Sequence, residues 1–474
     1  MEALRSPLGK RFNLGRDRAH DEWAAPGVLR DVDRRWPGGS LMLASTSGIR
    51  GVFNADLSPN EIAEYARRFV RLVGGREVLL GRDTRSTGPV ASRAVAGAIM
   101  DAGANVVDYG VISTPAIFRE SRTRARPAVI VTSSHNEPEW NGLKFVVDGR
   151  GISQEGFDQL LRRGEKGDGA STPGRLTPAE GFSYNRELVK MSGESSAVGV
   201  KVVLDLNGGA AIGHAPEILR ALGCEVSTIG DVRGFFSRTI DPTNDPLEVL
   251  SRAVKREEAD VGFAFDCDGD RLALVDSSGR TRTGDYMLTL ATKEMLQGSP
   301  TKDMVVSVDT TQAIDEIVKE AGGRVYRAKV GEANVVALMA QNQARFGGEG
   351  SSGGVIDASF NSCRDSMVAA AFIVGALKRK GTKVYDQVRS YHIAREKMAM
   401  PRKKGLEAVK RLQKDNPEAD SLDGLKVRTS SSSWVLIRVS NTEDGVRVSS
   451  EAPSFKEAER LAHAWALKVK RAGA

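Results

Sequence analysis

The chain alternates short, unbroken apolar runs with amphipathic stretches, and it does so three times. The first round runs VLLGRD (78–83), SRAVAGAIMDAGA, VVDYG (106–110) and AVIVTSSHN (128–136). The second runs VVLDLNGG (202–209), PEILRALG, CEVSTIGD and VGFAFDCDGD (261–270). The third runs VVSVDTT (305–311), IDEIVKEAGG, VYRAKVG (325–331), NVVALMAQNQA and RFGGEGSSGG (345–354). Each follows one script: strand, helix, strand, helix, strand, then a loop rich in Gly, Asp or Ser. Apolar runs between helical patterns predict buried, mainly parallel strands with crossover helices. Ligands of such sheets bind beyond the carboxyl ends of the strands, and each unusual loop falls at such an end. Three similar domains can therefore present three loops to one cleft.

The remainder reads differently. WVLIRVSN (434–441) and GVRVSSEA (445–452) predict two strands around a turn, with a helix from Ser454. Residues 394–474 hold 17 Lys and Arg against 11 Asp and Glu, which marks a smaller basic domain. The predicted fold class is α/β: three similar mixed α/β domains in series, over 41–180, 181–284 and 285–393, plus a C-terminal α+β domain over 394–474, around a central cleft. Residues 1–40 show no period and are rich in Arg, Asp, Gly and Pro. They read as a poorly ordered N-terminal extension.

Four loops carry chemistry. In Asp266-Cys267-Asp268-Gly269-Asp270-Arg271, three carboxylates at alternate positions can turn onto one hard cation, and oxygen ligands without His or Cys suit Mg²⁺. A calcium EF-hand is excluded, because its sixth position holds Arg271, its twelfth holds Ser277, and a strand precedes it. Thr132-Ser133-Ser134-His135-Asn136, followed by Asn141-Gly142-Leu143-Lys144, puts a serine at the end of a buried strand, where it can react or merely turn the chain. Gly347-Gly348-Glu349-Gly350-Ser351-Ser352-Gly353-Gly354 contains both G-x-G-x-x-G and G-x-S-x-G. A strand-like Val-Ile-Asp follows instead of the helix that either motif needs. One Glu among glycines fits a sugar-hydroxyl site, with bare glycines letting the sugar approach. Arg438-Val439-Ser440-Asn441-Thr442, with Arg447 beyond the turn, can cradle a phosphate or be a plain hairpin with surface arginines.

Composition narrows the partners. The 474 residues are too many for one core. The net charge of +7 fits nucleic acid or a phosphorylated small molecule, but there is no Lys/Arg-rich block and only 6% of residues are aromatic, which disfavours nucleic acid. Cys224, Cys267 and Cys363 are far apart and odd in number, which excludes a disulfide framework and a zinc site and points to a reducing cytoplasm. No run of about 18 apolar residues is present, so no membrane span is expected.

All four loops, in this order and over residues 43–474, resemble the alpha-D-phosphohexomutases, a family that includes phosphoglucosamine, phosphomannose and phosphoglucose mutases. Thr-Ser-Gly-Ile-Arg-Gly (46–51), Gly81-Arg82-Asp83-Thr84-Arg85 and Ser113-Thr114-Pro115 are similar to further family segments. The resemblance implies that Ser134 is phosphorylated, with His135 and Asn136 beside it, Lys144 assisting proton transfer and Arg50 facing the phosphate. It implies Asp266, Asp268 and Asp270 as magnesium ligands completed by a phosphoserine oxygen at Ser134, with Arg271 beside them. Glu349 and Ser351 match the sugar-binding loop. Arg438, Ser440, Asn441, Thr442 and Arg447 match the site gripping the phosphate that is not transferred. A lowered basicity of Lys144 among cations would help it move protons.

The implied reaction transfers the phosphoserine phosphate to a hexose or hexosamine monophosphate, passes through a 1,6-bisphosphate, and returns the other phosphate to Ser134. Mg²⁺ and a hexose 1,6-bisphosphate activator are the implied cofactors, and the protein is expected as a monomer or homodimer. The sequence departs from the family pattern at Cys267, where Gly is usual, at the sugar loop, which has an extra Ser352 and no His where Ser-Gly-His is common, although some members share its Gly353-Gly354, and at Asp444, where Pro is usual. Glucosamine phosphate is the leading substrate by resemblance, then mannose or glucose phosphate. A non-catalytic sugar-phosphate binder would lack the serine, the lysine or an aspartate, and all are present.

Overall fold

The apolar runs become strands, and their order in each sheet repeats. In the computed structural model, which describes residues 42–162, 170–194, 196–439 and 445–473, the run at 78–83 forms strand Glu77–Arg82. It lies between the parallel strands Asn105–Val111 and Ala128–Val131. Lys201–Asp205 lies likewise between Glu225–Ile229 and Val261–Phe265. Met304–Ser307 lies between Val325–Ala328 and Phe346–Glu349. The expected extension over 1–40 is outside the described residues.

Each unit has a member that the sequence reading left out or described only as strand-like. After the loop, the chain returns antiparallel beside the third strand: Trp140–Val147, Leu272–Asp276 and Gly354–Asp357 respectively. The sheets are therefore mixed: parallel through the three strands of each repeat and antiparallel at this edge. Each of the first three candidate loops is the connection of a hairpin whose first strand also belongs to the parallel set. The first sheet is extended at this edge by Gly48–Val52, which pairs antiparallel with Trp140–Val147.

Several helices start at polar side-chain caps. Ser58 and Glu61 form a capping box on Pro59–Val73. Ser113 caps Thr114–Arg124, Asp365 caps Ser366–Lys380, and Ser454 caps Phe455–Ala472. The three α/β units share one core between them, and each also has a cluster of its own on the other face of its sheet. Leu79, Ile117 and Ile130 of the first unit belong to the same buried cluster as Leu204 and Phe263 of the second and Met304 and Phe346 of the third. The C-terminal unit, a four-stranded antiparallel sheet under two helices, has its own core around Val435, Ile437, Val448 and Trp465. A small cluster of Val308, Trp434 and Leu436 joins it to the third unit. Among the described residues, no helix is long and apolar enough to cross a membrane.

Candidate active site

Strand periodicity aims the first groups. In Trp140–Val147, Leu143 and Phe145 point into the core of the first unit, and alternation turns Lys144 and Val146 to the opposite face. The same alternation on Gly48–Val52 buries Ile49 in that core and turns Arg50 away from it. Lys144 thereby meets the second unit, where its Nζ lies 2.7 Å from Asp268 Oδ2 and 3.0 Å from Asp270 Oδ2.

The serine loop is held from beneath by Arg85, which is fully buried. Arg85 pairs with Asp83 at 3.0 Å and donates to the carbonyls of Ser134 and Asn136 at 2.7 Å, of Trp140 at 3.1 Å, and of Glu137. Thr132 Oγ1 donates to Asp83 and accepts the Ser134 N–H at 2.8 Å. These bonds hold Ser134 at φ 52°, a left-handed conformation rare for a side-chain-bearing residue outside turns and functional sites. The Ser134 hydroxyl is buried and donates to Asp266 Oδ2 at 3.2 Å. His135 Nδ1 lies 3.5 Å from the same hydroxyl. Burial, then Arg271 and Arg50, pushes His135 well below the ordinary histidine range. Arg50 donates to Asn136 Oδ1 at 3.2 Å, so it faces this loop.

The carboxylate loop turns inward. Asp266 Oδ1 accepts the N–H groups of Asp270 and Arg271 at 3.0 and 3.1 Å, and Gly269 takes the positive φ (71°) that the tight turn needs. Asp266, Asp268 and Asp270 are all buried, with one oxygen of each within 4.8 Å of the others. Asp268 Oδ1 and Asp270 Oδ1 are buried without a hydrogen-bond partner. Such oxygens are costly unless a cation faces them, so the donor set fits a hard metal ion. Burial, then Asp270 and Asp268, raises Asp266 well above the usual carboxylate range. The Cys267 side chain turns away from this cluster and packs 3.7 Å from Thr84 Oγ1.

One expectation is reversed here. Burial works against the Lys144 charge, but Asp268 and Asp270 outweigh it and raise its pKa rather than lowering it among cations.

Glu349 is also buried. It accepts the Gly331 N–H at 2.7 Å and lies 3.4 Å from Arg364 Nη1, with Ser351 half-buried two residues on. At three of the glycines around it, the space that a Cβ would take is already filled by protein. A Cβ on Gly350 would come within 1.8 Å of Asp285 Oδ1, one on Gly347 within 2.4 Å of Met339 Sδ, and one on Gly348 within 2.6 Å of the Gly354 carbonyl. Protein packing requires those glycines.

In the C-terminal sheet, Arg438 lies directly across from Arg447, and Arg447 lies across from Lys397 on the next strand. Three cations thus share one sheet face. Asp423 answers Arg438 at 2.9 Å and also accepts the Val330 N–H of the third unit. The expected Ser440, Asn441 and Thr442, and the departure at Asp444, lie outside the described residues.

Sequence reasoning missed several residues. Arg364 contacts Asp270, Glu349 and Glu332. Asp241 holds Arg271 at 2.6 Å; burial works to raise its carboxyl, but Arg271 outweighs it and lowers the pKa to about 2. The Asp-Pro-Thr-Asn turn around Asp241 gave no chemical signal, and nothing marked Lys397. Asp83, Arg85 and Thr114 lay in segments noted for resemblance but assigned no role.

Comparison with known proteins agrees with this geometry. Family models for the phosphoglucomutase/phosphomannomutase alpha/beta/alpha domains I, II and III match residues 42–168, 183–279 and 283–393, and the model of the C-terminal domain matches 396–468. A probable phosphoglucosamine mutase of Methanopyrus kandleri is 32% identical over 432 residues, covering 88% of this chain and 95% of that protein. A phosphoglucomutase/phosphomannomutase of Thermococcus kodakarensis is 30% identical over 442 residues, covering 88% and 96%. The crystal structure of a phosphoglucomutase/phosphomannomutase family protein from Burkholderia thailandensis superimposes with a TM-score of 0.79 at 26% identity, over 91% of this chain and 98% of that one. With all four domain models matched in order along it, the chain belongs to the phosphoglucomutase/phosphomannomutase family, the alpha-D-phosphohexomutases.

Proposed function

We propose that this phosphohexomutase acts on glucosamine phosphate, interconverting the 1-phosphate and 6-phosphate through a phosphoserine at Ser134 and a 1,6-bisphosphate. The observation that carries the reading is the buried Ser134 hydroxyl, 3.2 Å from Asp266 in a triad that has two unpartnered carboxylate oxygens. Asp266, Asp268, Asp270 and Ser134 would hold Mg²⁺, which when bound supplies positive charge at the phosphoryl oxygens.

In the first transfer, the bond between phosphorus and Ser134 Oγ breaks as the free sugar hydroxyl bonds to phosphorus. Lys144, charged beside Asp268 and Asp270, gives a proton to the departing Oγ and is refilled from the sugar hydroxyl. After the bisphosphate turns over, the second transfer runs the same steps in reverse on its other phosphate. Arg50 and Arg271 add positive charge around the phosphoryl group, with His135 beside the serine. Glu349 and Ser351 receive the sugar hydroxyls. Arg438 and Arg447, with Ser440, Asn441 and Thr442, grip the phosphate that stays. A hexose 1,6-bisphosphate primes Ser134. The domain limits that go with these roles are 41–180, 181–284, 285–393 and 394–474, and the three buried free cysteines support a cytoplasmic enzyme.

The amino sugar is favoured because relatives about 30% identical over most of the chain are named probable phosphoglucosamine mutases. A second reading, mannose or glucose phosphate, is favoured by the Thermococcus relative at 30% identity. Phosphorus NMR with Mg²⁺, a trace of hexose 1,6-bisphosphate and each hexose 1-phosphate in turn tests both. The expected result is a 6-phosphate formed fastest from glucosamine 1-phosphate and absent with Ser134→Ala. Faster conversion of mannose or glucose phosphate selects the second reading, and no conversion at all rejects both.

A further inference from the structure

The loop from Gly347 to Gly354 holds one acid and no basic side chain of its own. Its basic group arrives from Arg364, on the segment that leads into helix Ser366–Lys380. Arg364 is buried, and its stem runs against Gly354, where an added Cβ would lie 2.3 Å from Arg364 Cδ. That glycine is the space through which the arginine passes.

The guanidinium reaches two units at once. Nη1 lies 3.4 Å from Glu349 Oε2 and 3.3 Å from Ser352 Oγ, on the third unit. Nη2 donates to Asp270 Oδ2 at 2.9 Å, on the second. Nε lies 3.2 Å from Glu332 Oε2, which also accepts the Arg364 N–H at 2.9 Å. Asp270 therefore spends one oxygen on Arg364 and Lys144, while the other stays open.

We propose that Arg364 is the positioning residue of the sugar site, aiming the Glu349 carboxylate and the Ser352 hydroxyl and fixing both to the carboxylate loop. A planar fork can serve acceptors in two directions, which a lysine's single nitrogen cannot do as well. Glu349 needs such a partner. Burial pushes its pKa up and Arg364 is the first influence opposing that, so the arginine favours the ionised form that accepts sugar hydroxyls. The inference deepens the mutase reading and rests on it.

A double-mutant cycle on Arg364→Met and Glu349→Gln, read by calorimetric titration of glucosamine 6-phosphate in EDTA, separates positioning from damage. Each single change is expected to weaken binding about tenfold, and the double change by little more than either alone. Binding of inorganic phosphate should stay unchanged, and Arg364→Lys should recover part of the loss. Additive losses of about a hundredfold in the double variant overturn the assignment. So does an equal loss of inorganic phosphate binding, which would mark general disruption. If Arg364→Met does not fold, the cycle with Arg364→Lys decides by the same criteria. Wild-type binding of the sugar phosphate with additive variants rejects Arg364 alone. Failure of the wild type to bind glucosamine, mannose or glucose 6-phosphate rejects the mutase reading and this inference together.

Discussion

Thr114 Oγ1 donates to Asp268 Oδ2 at 2.6 Å, the same oxygen that Lys144 Nζ reaches at 2.7 Å. Thr114 opens a helix of the first unit, and Asp268 belongs to the second. Both bonds fall on Oδ2, so they orient the carboxylate and leave Oδ1 open. Thr114→Val keeps the shape and deletes the donor, and should cost about 1–2 kcal/mol at a charged acceptor. The expected outcome is metal affinity roughly tenfold weaker by calorimetry, with thermal unfolding nearly unchanged.

Removing the metal ligands should separate fold from chemistry. Three carboxylates crowded in a buried site repel one another. Asp266→Asn, at the carboxylate whose charge burial and its neighbours disfavour, should abolish divalent-ion binding in calorimetry and phosphoryl transfer in the NMR assay. The metal-free variant should unfold at the same temperature as metal-free wild type or higher. A clear drop in that temperature would show the carboxylates to be structural.

Arg438→Met should act on binding rather than on the chemical step. Arg438 and Arg447 stand opposite each other on the sheet, and each charge-assisted phosphate contact is worth about 1.5–3 kcal/mol. The expected result is a KM for the sugar phosphate higher by about ten- to a hundredfold, with kcat changed far less.

Gly350→Ala tests the packing account of the Gly-rich loop. Its Cβ would collide with Asp285, whose carboxylate accepts the Thr311 N–H at 2.9 Å. Overpacking of this kind costs about 1–3 kcal/mol, to be read as a lower urea midpoint. If Gly350 served only to admit the sugar, stability would be unchanged and only KM would rise.

Asp285 itself supplies a pH dependence. Burial raises its carboxyl to about 7 although Arg395 opposes the shift, with Glu451 and Asp309 adding to it. The folded value lies above the ordinary 3.8, so the fold favours the protonated form. Its contribution is complete below pH 4 and fades as pH rises through 7, by up to about 4 kcal/mol. Wild type should lose stability relative to Asp285→Asn between pH 4.5 and 7.5, measured by urea unfolding. Parallel curves for the two proteins would place the ordinary carboxylate at this position.

The repeated strand-and-helix units were legible because each buried strand is a pure apolar run closed by Gly, Asp or Ser. The antiparallel return strand of the first unit was not, because WNGLKFVV mixes Asn, Gly and Lys into the run. Lys144 interrupts it because that face meets carboxylates instead of core. The serine and aspartate loops could be read because their chemistry lies within a few residues. Arg364 could not: its partners Glu349 and Asp270 lie 15 and 94 residues away, so only folding creates the group. The glycines of the sugar loop were visible, but the neighbours that forbid a side chain there come from Asp285, Met339 and Arg364.

The shared core of the first three units and the separate core of the fourth have a calorimetric consequence. Side chains interleaved across three sheets lose their partners together, so those units should absorb heat in one cooperative transition. The C-terminal unit, tied on by Val308, Trp434 and Leu436 and a few polar bonds, is free to melt in its own step. A bisphosphate gripped from both sides would add its binding energy to that weak seam, drawing the two heat peaks together as its concentration rises.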